Sequence, residues 1–324
     1  MQANTADPAE AQPRSRTEPR PERRARPSRV ALSRWRSRKV KGLAYAAPTA
    51  VFVAVFFVLP LLLVGQMSLS DWPLLAGDRG FNAPENYTDV TGGTLFWPAV
   101  RFTLLYTVIV TVVLLSLALL LALLVQESRP GAGFFRTVYF LPGALGLASA
   151  SLLFWGLYSP GTGPLSRILE ELGLADGPVS FLGTPASALL STVFLIVWKF
   201  AGFYMLILLV GLQRIPQEVF EAARMDGASR GQTFRSITLP LLRPSLALTL
   251  LLCVTGSLLA FDQFFILTKG GPDNSTVTVV QLIYREAFQR LDLGTAAALS
   301  VAVLGVLLLL NALQFRALRR ADES

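Results

Sequence analysis

The chain has 324 residues, of which 52% are hydrophobic and only 15% charged, and its net charge is +8. Soluble domains carry about 25% charged residues; the deficit, with repeated apolar runs of roughly 20 residues, marks an all-α integral membrane protein. With no His and a single Cys, Cys253, an internal disulfide, a Cys/His zinc site and any triad that needs a histidine base are excluded.

In chain order, residues 1–42 come first. They are rich in Arg, Pro, Ala and Ser, with almost no large aliphatic residue before Val30. Such a segment cannot bury a core, so it is expected to be a disordered basic cytoplasmic tail. Its run "RSRTEPRPERRARPSR" has one aromatic nearby, Trp35. Membrane topology accounts for this charge more simply than a nucleic-acid partner does. The apolar run that follows exceeds a cleaved signal's core and reads as a retained signal-anchor span.

Six spans are expected, at Leu43–Met67, Val100–Gln126, Thr137–Tyr158, Ala188–Leu212, Leu242–Leu267 and Thr295–Phe315. Each is long enough to cross a hydrocarbon core about 30 Å thick. The third carries Pro142, Gly143 and Gly146, which a bundle tolerates where a helix bends or packs closely. Together the spans make a transmembrane domain over residues 43–318, followed by a short cytoplasmic end, 319–324.

Lys and Arg are distributed unequally. The tail, the Glu127–Arg136 and Gln213–Leu241 loops and the last nine residues hold 21, and the opposite loops hold 5. Basic flanks stay in the cytoplasm, so both termini are expected inside a bacterial or archaeal plasma membrane.

Between the fourth and fifth spans lies "LQRIPQEVFEAARMDGASRGQTFRSITLPLLRP". Pro216 suits a first helical turn, and Glu218 to Met225 can continue it. Gly227 and Gly231 bracket a turn, a second short helix follows over Thr233 to Ile237, and Pro240 is expected to stop it. The spacing Glu221-Ala222-Ala223, Gly227, Ile237, Leu239-Pro240 resembles the EAA loop of ABC importer permeases. That resemblance implies the six-helix type I importer fold and a coupling helix that docks on a separate ATPase subunit. Glu221, Ala222, Ala223, Arg224, Asp226, Gly227, Ile237, Leu239 and Pro240 are then the coupling residues.

A second stretch, residues 260–300, is similar to the fifth-span exit of carbohydrate-type permeases. It carries Phe261-Asp262, Leu267-Thr268, Gly270-Gly271-Pro272 and Thr276. The group includes the larger maltose permease and the first glycerol-3-phosphate permease. The chain departs from the group at Phe102-Thr103 and at Ser166, where asparagines are common. The resemblance implies a second permease subunit, an ATPase dimer, an extracytoplasmic solute-binding protein and a sugar or sugar-like solute; glycerol 3-phosphate is the alternative.

Polar groups at membrane depth are the candidates for the solute pathway. Lys199 lies about 11 residues into the fourth span, roughly 16 Å deep, where a cation costs several kcal/mol unless it faces water or a partner. A cavity-facing lysine and a lysine paired with the second permease both satisfy that requirement. Asp262 and Gln263 can exchange hydrogen bonds with sugar hydroxyls, and Tyr204 and Phe261 can supply aromatic faces. No G-x-x-x-x-G-K-[ST] stretch occurs, so the chain does not itself cradle ATP phosphates. No cofactor, metal or catalytic residue is expected. A membrane enzyme would need clustered acids or ligands at one depth, and a secondary transporter would need inverted repeats with coupling carboxylates.

Overall fold

The computed structural model describes residues 45–126 and 131–322. The tail expected at 1–42 and the last two residues of the expected 319–324 end lie outside them. Five helices are long and apolar enough to cross a membrane, and six spans result when one bent pair counts as one. The chain divides into two compact units at Pro60.

The first unit holds most of α1 (Tyr45–Met67). Its Val, Phe and Leu side chains are exposed, as suits a surface that meets hydrocarbon rather than water. A π turn at Ala54–Val58 immediately precedes Leu59-Pro60. The Leu59 N–H reaches back to the Ala54 carbonyl, and this wider turn admits the proline ring without its missing donor.

The second unit is built around α3 (Phe96–Val125) and α7 (Pro185–Gln213), the two helices in most extensive contact. Along α3 the buried residues Ala99, Thr103, Tyr106, Val110, Leu114, Ala118 and Ala122 recur every three or four positions. They form one inward stripe on an otherwise apolar helix. Thr103 Oγ1 donates to the Ala99 carbonyl and accepts the Val279 N–H, so it ties α3 to the chain near residue 279. α7 begins at a capping box between Thr184 and Ser187, with Pro185 at its first position. Gly202 brings α7 against the Tyr139 backbone, and Gly211 brings it against Ser245; a Cβ at either place would collide.

The third expected span is not one helix. It is α4 (Ala132–Phe140), a tight turn at Leu141–Ala144, and α5 (Leu147–Leu157), with a bend of 94° across the break. Pro142 and the glycines permit the break, but what sustains it comes from α7, as shown below. A short helix, α6 (Pro164–Glu171), follows; there Ser166 Oγ accepts the Val179 N–H and donates to Glu170.

After α7 come α8 (Gln217–Met225), α9 (Arg230–Thr233) and α10 (Leu239–Leu258). Pro240 does not stop a helix, contrary to expectation. A π turn at Phe234–Thr238 joins α9 to α10, and the Leu239 N–H bonds the Phe234 carbonyl. This is the device already seen before Pro60. The fifth span also breaks: α10 ends at Leu258, and α11 (Asp262–Leu267) starts afresh and packs on α5.

The remaining elements are α2 (Ala83–Gly92), α12 (Val279–Tyr284), a π turn at Arg285–Gln289 and α13 (Leu293–Asp322). Val90, Ala99, Val277, Leu282, Ala298 and Leu299 make a second small core among them. Glu286 is buried at its edge, and Arg290 stands 3.0 Å away. Burial raises the Glu286 carboxyl above its ordinary value, although Arg290 opposes the shift. A carboxyl raised in the folded state contributes stability at acidic pH and loses it as pH rises through the folded value. Glu286→Gln should therefore flatten the pH dependence of melting in detergent and raise the melting temperature chiefly at neutral and alkaline pH. Identical melting profiles for the two proteins from pH 4 to 8 would refute this.

Candidate functional site

Two regions bring the expected residues together. The first is the hairpin α8–turn–α9. Val219, Phe220 and Ala223 turn inward, Val219 and Phe220 against the main core. Glu221, Ala222, Arg224, Met225, Asp226 and Gly227 are exposed, Met225 to 88%. The split follows from helical period: residues 219, 220 and 223 share one face.

The turn is closed by backbone geometry. The Ala228 N–H donates to the Ala223 carbonyl at 2.9 Å and the Gly227 N–H to the Arg224 carbonyl at 3.2 Å. With Gly227 at φ 74°, this is a Schellman ending, which needs a left-handed residue at that position. Ser229 and Gln232 then form a reciprocal cap at the start of α9. Gln217 Nε2 donates to Glu221 Oε1 at 2.9 Å. Ile237, Leu239 and Pro240 are half-buried along the run into α10. Behind it lies an open cavity of about 730 Å³, lined by Gln126, Leu212, Ile215, Phe220, Arg224 and Arg230 among others.

The second region is a cavity of about 280 Å³ among α3, α7, α10 and α11. Tyr204, Phe261, Asp262 and Gln263 all line it, with Tyr106 and Cys253. The α10–α11 break presents Phe261 to Gln263 here, and it is held open by Thr278, whose Oγ1 donates to the Ala260 carbonyl at 2.8 Å. Gln263 is 2% exposed; its Nε2 donates to the Tyr106 hydroxyl at 3.1 Å, and its Oε1 has no partner. A buried amide oxygen without a donor is costly, and a solute hydroxyl would satisfy it. Asp262 is half-buried in the first turn of α11.

Lys199 does not line this cavity. It is 3% exposed, and its Nζ donates to the carbonyls of Leu145 and of Gly143, the latter at 3.4 Å. It also lies 5.0 Å from the Phe200 ring centroid. Those carbonyls belong to the break in the third span, where helical partners are lost. The lysine thus supplies donors that the bent backbone lacks, which is what allows irregular backbone at membrane depth.

Tyr106 and Thr278 were not among the residues singled out in the sequence. Tyr106 could have been found from its place in the inward stripe of α3. Thr278 offered no comparable signal, because its partner lies across a loop.

The match to known proteins is extensive. Residues 43–322 match the family model described as "Binding-protein-dependent transport system inner membrane component". The probable ABC transporter permease protein YurN of Bacillus subtilis is 31% identical over 88% of this chain and 98% of its own length. The trehalose/maltose transport system permease protein MalF of Thermococcus litoralis is 33% identical, over 83% and 90%. Among solved structures, a chain from a bacterial ABC transporter involved in the import of the acidic polysaccharide alginate superposes with a TM-score of 0.78. It is 24% identical and covers 88% of this chain and 98% of that one, a likeness of fold. The broken fifth span and the exposed hairpin thus sit in a chain whose match leaves out little beyond its basic tail, and the protein belongs to the family of binding-protein-dependent transport system inner membrane components.

Proposed function

We propose that the chain is the permease subunit of an ABC importer and forms half of a pathway for a neutral sugar or sugar-like solute. The observation that carries this is the α8–α9 hairpin. It holds Ala223 inward and offers Glu221, Ala222, Arg224, Asp226 and Gly227 outward, with small residues where another subunit must approach closely. An ATPase dimer docks there, a second permease completes the pathway, and an extracytoplasmic binding protein delivers the solute. The chain itself is a non-catalytic pore subunit.

Relatives support the sugar class. They include the multiple sugar-binding transport system permease protein MsmF of Streptococcus mutans, 31% identical over 86% of this chain, and the MalF protein above. The membrane cavity supports it as well. Among the described residues lining it, Asp262 alone carries a formal charge, and a carboxylate without a cation repels a phosphate. A neutral polyol therefore fits better than glycerol 3-phosphate. Affinity purification of the tagged chain from its host's membranes should return an ATPase subunit in comparable amount. Recovery of the chain without any ATPase would sink the proposal.

Both termini face the cytoplasm in this reading, and that is separately testable. With Cys253 replaced by Ala, Asp273→Cys should react with an impermeant maleimide on intact cells. Gly231→Cys should react only after permeabilisation. The reverse pattern would invert the topology and remove the hairpin from the ATPase's reach.

A further inference from the structure

A second cavity, of about 270 Å³, lies beyond the end of the fifth span and is lined by Phe265, Lys269, Gln281, Tyr284, Arg285 and Gln289. Arg285 is committed to the loop that walls it, donating to Asn274 Oδ1 at 2.8 Å and to the Lys269 carbonyl at 3.0 Å. Gln281 is not committed in this way. It is 2% exposed, lines the cavity, and its Oε1 has no hydrogen-bond partner. A nearly buried amide in a cavity wall with an unanswered acceptor is matched by a ligand that brings a donor.

The two cavities are joined by aromatic rings. Phe261, in the wall of the membrane cavity, stacks on Phe265 of the outer one, with centroids 5.0 Å apart and planes 19° apart. Both rings meet Tyr284, at 5.4 and 5.0 Å, and Tyr284 meets Phe288 at 5.2 Å. Phe288 is 60% exposed at the far end. The four rings come from the start of α11, from α12 and from the π turn that follows it, with the loop after α11 between the first pair and the second. Core packing accounts for aromatic pairs. It does not account for a series that begins at the surface, passes a cavity with an unanswered amide and ends in a second such cavity.

We infer that the outer cavity is a pyranose-binding subsite, and that the Phe288–Tyr284–Phe265–Phe261 series passes a sugar from it to the membrane cavity. The C–H face of a pyranose ring lies on the aromatic rings, and its hydroxyls donate to Gln281 Oε1 and accept from the Lys269 ammonium and Gln289. An acyclic polyol has the hydroxyls without the flat apolar face. This inference rests on the importer reading and adds to it a second solute contact outside the membrane cavity.

The assembled importer in lipid nanodiscs, without binding protein, can be tested by saturation-transfer NMR with methyl α-D-glucopyranoside and, as acyclic control, glycerol. Transfer to the axial ring protons of the glucoside and none to glycerol is expected. Tyr284→Leu and Phe265→Leu keep apolar volume but remove the flat face, and each should cut the transfer about three- to tenfold. Gln263→Leu, in the membrane cavity, should leave a substantial part of it. Gln281→Leu should weaken the transfer without altering assembly, which size-exclusion chromatography of the same preparation reads. Transfer unchanged by Tyr284→Leu and Phe265→Leu, or abolished by Gln263→Leu alone, would overturn the outer subsite and leave the importer reading intact. If instead the intact importer with its binding protein moves no pyranoside into vesicles, the sugar reading itself fails and the subsite fails with it.

Discussion

Replacing Lys199 by Met is expected to lower the yield and melting temperature of the assembled importer, with uptake falling in proportion to the protein lost. The lysine ammonium answers the carbonyls of Gly143 and Leu145 at the 94° break between α4 and α5. Met fills a similar volume but donates nothing, and each buried acceptor left unanswered costs about 1–3 kcal/mol. Lysine without those carbonyls would be worse placed than Met, since a buried cation needs partners; the two features depend on each other. Lys199→Gln retains an amide donor and should recover part of the loss. A cavity-lining lysine would give another result, with normal yield and melting but low uptake. Normal values of all three for Lys199→Met would contradict the pinning role.

That contrast also shows where the sequence stops being informative. The first, second, fourth and sixth spans follow from the length of their apolar runs, because hydrocarbon thickness sets that length wherever the helix sits. The break in the third span is different. Pro142, Gly143 and Gly146 are visible and weaken a helix, but they do not say whether it bends inside a bundle or continues with a kink. The outcome depends on whether the freed carbonyls find a donor, and that donor is 56 residues away in sequence. Pro240 misled for a similar reason. A proline in a helical run normally ends it, yet a π turn one residue earlier removes the conflict, and nothing local distinguishes the two cases.

The functional regions divide along the same line. The α8–α9 hairpin is local: its caps, its glycine and its two faces lie within about 20 consecutive residues, so helical period and turn chemistry expose it. Phe261, Asp262 and Gln263 were also legible as polar and aromatic groups at a span's end. Their cavity was not, because its other walls come from α3 and α7. The bond between Gln263 and Tyr106 joins residues 157 positions apart. Lys199 shows the same limit in reverse. Its depth announced that it needs a partner, and depth alone left open which one.

Gly227→Leu is expected to abolish uptake, or to reduce it about tenfold or more, while the chain still inserts into the membrane. Gly227 is exposed, and a side chain there meets no atom of this chain within 4 Å. The internal cost is thus confined to the left-handed conformation at φ 74°, about 1–2 kcal/mol. On the proposed docking, the larger effect comes from the ATPase surface that would lie against the hairpin. Forcing extra methylenes into a close-packed contact costs typically 1–3 kcal/mol, and each 1.4 kcal/mol is about tenfold in affinity. Two companions separate docking from strain. Gly227→Asn tolerates the left-handed region with a smaller side chain and should lose less. Ala222→Leu places bulk on the same exposed face in a strong helix former, so it leaves the backbone unstrained and should still displace the ATPase. Co-purified ATPase and uptake are measured on the same cells, with the amount of inserted permease as the reference. If Ala222→Leu and Gly227→Leu both retain the ATPase at the parent level, the hairpin does not dock it, and the energy of ATP hydrolysis must reach the pathway through some other surface.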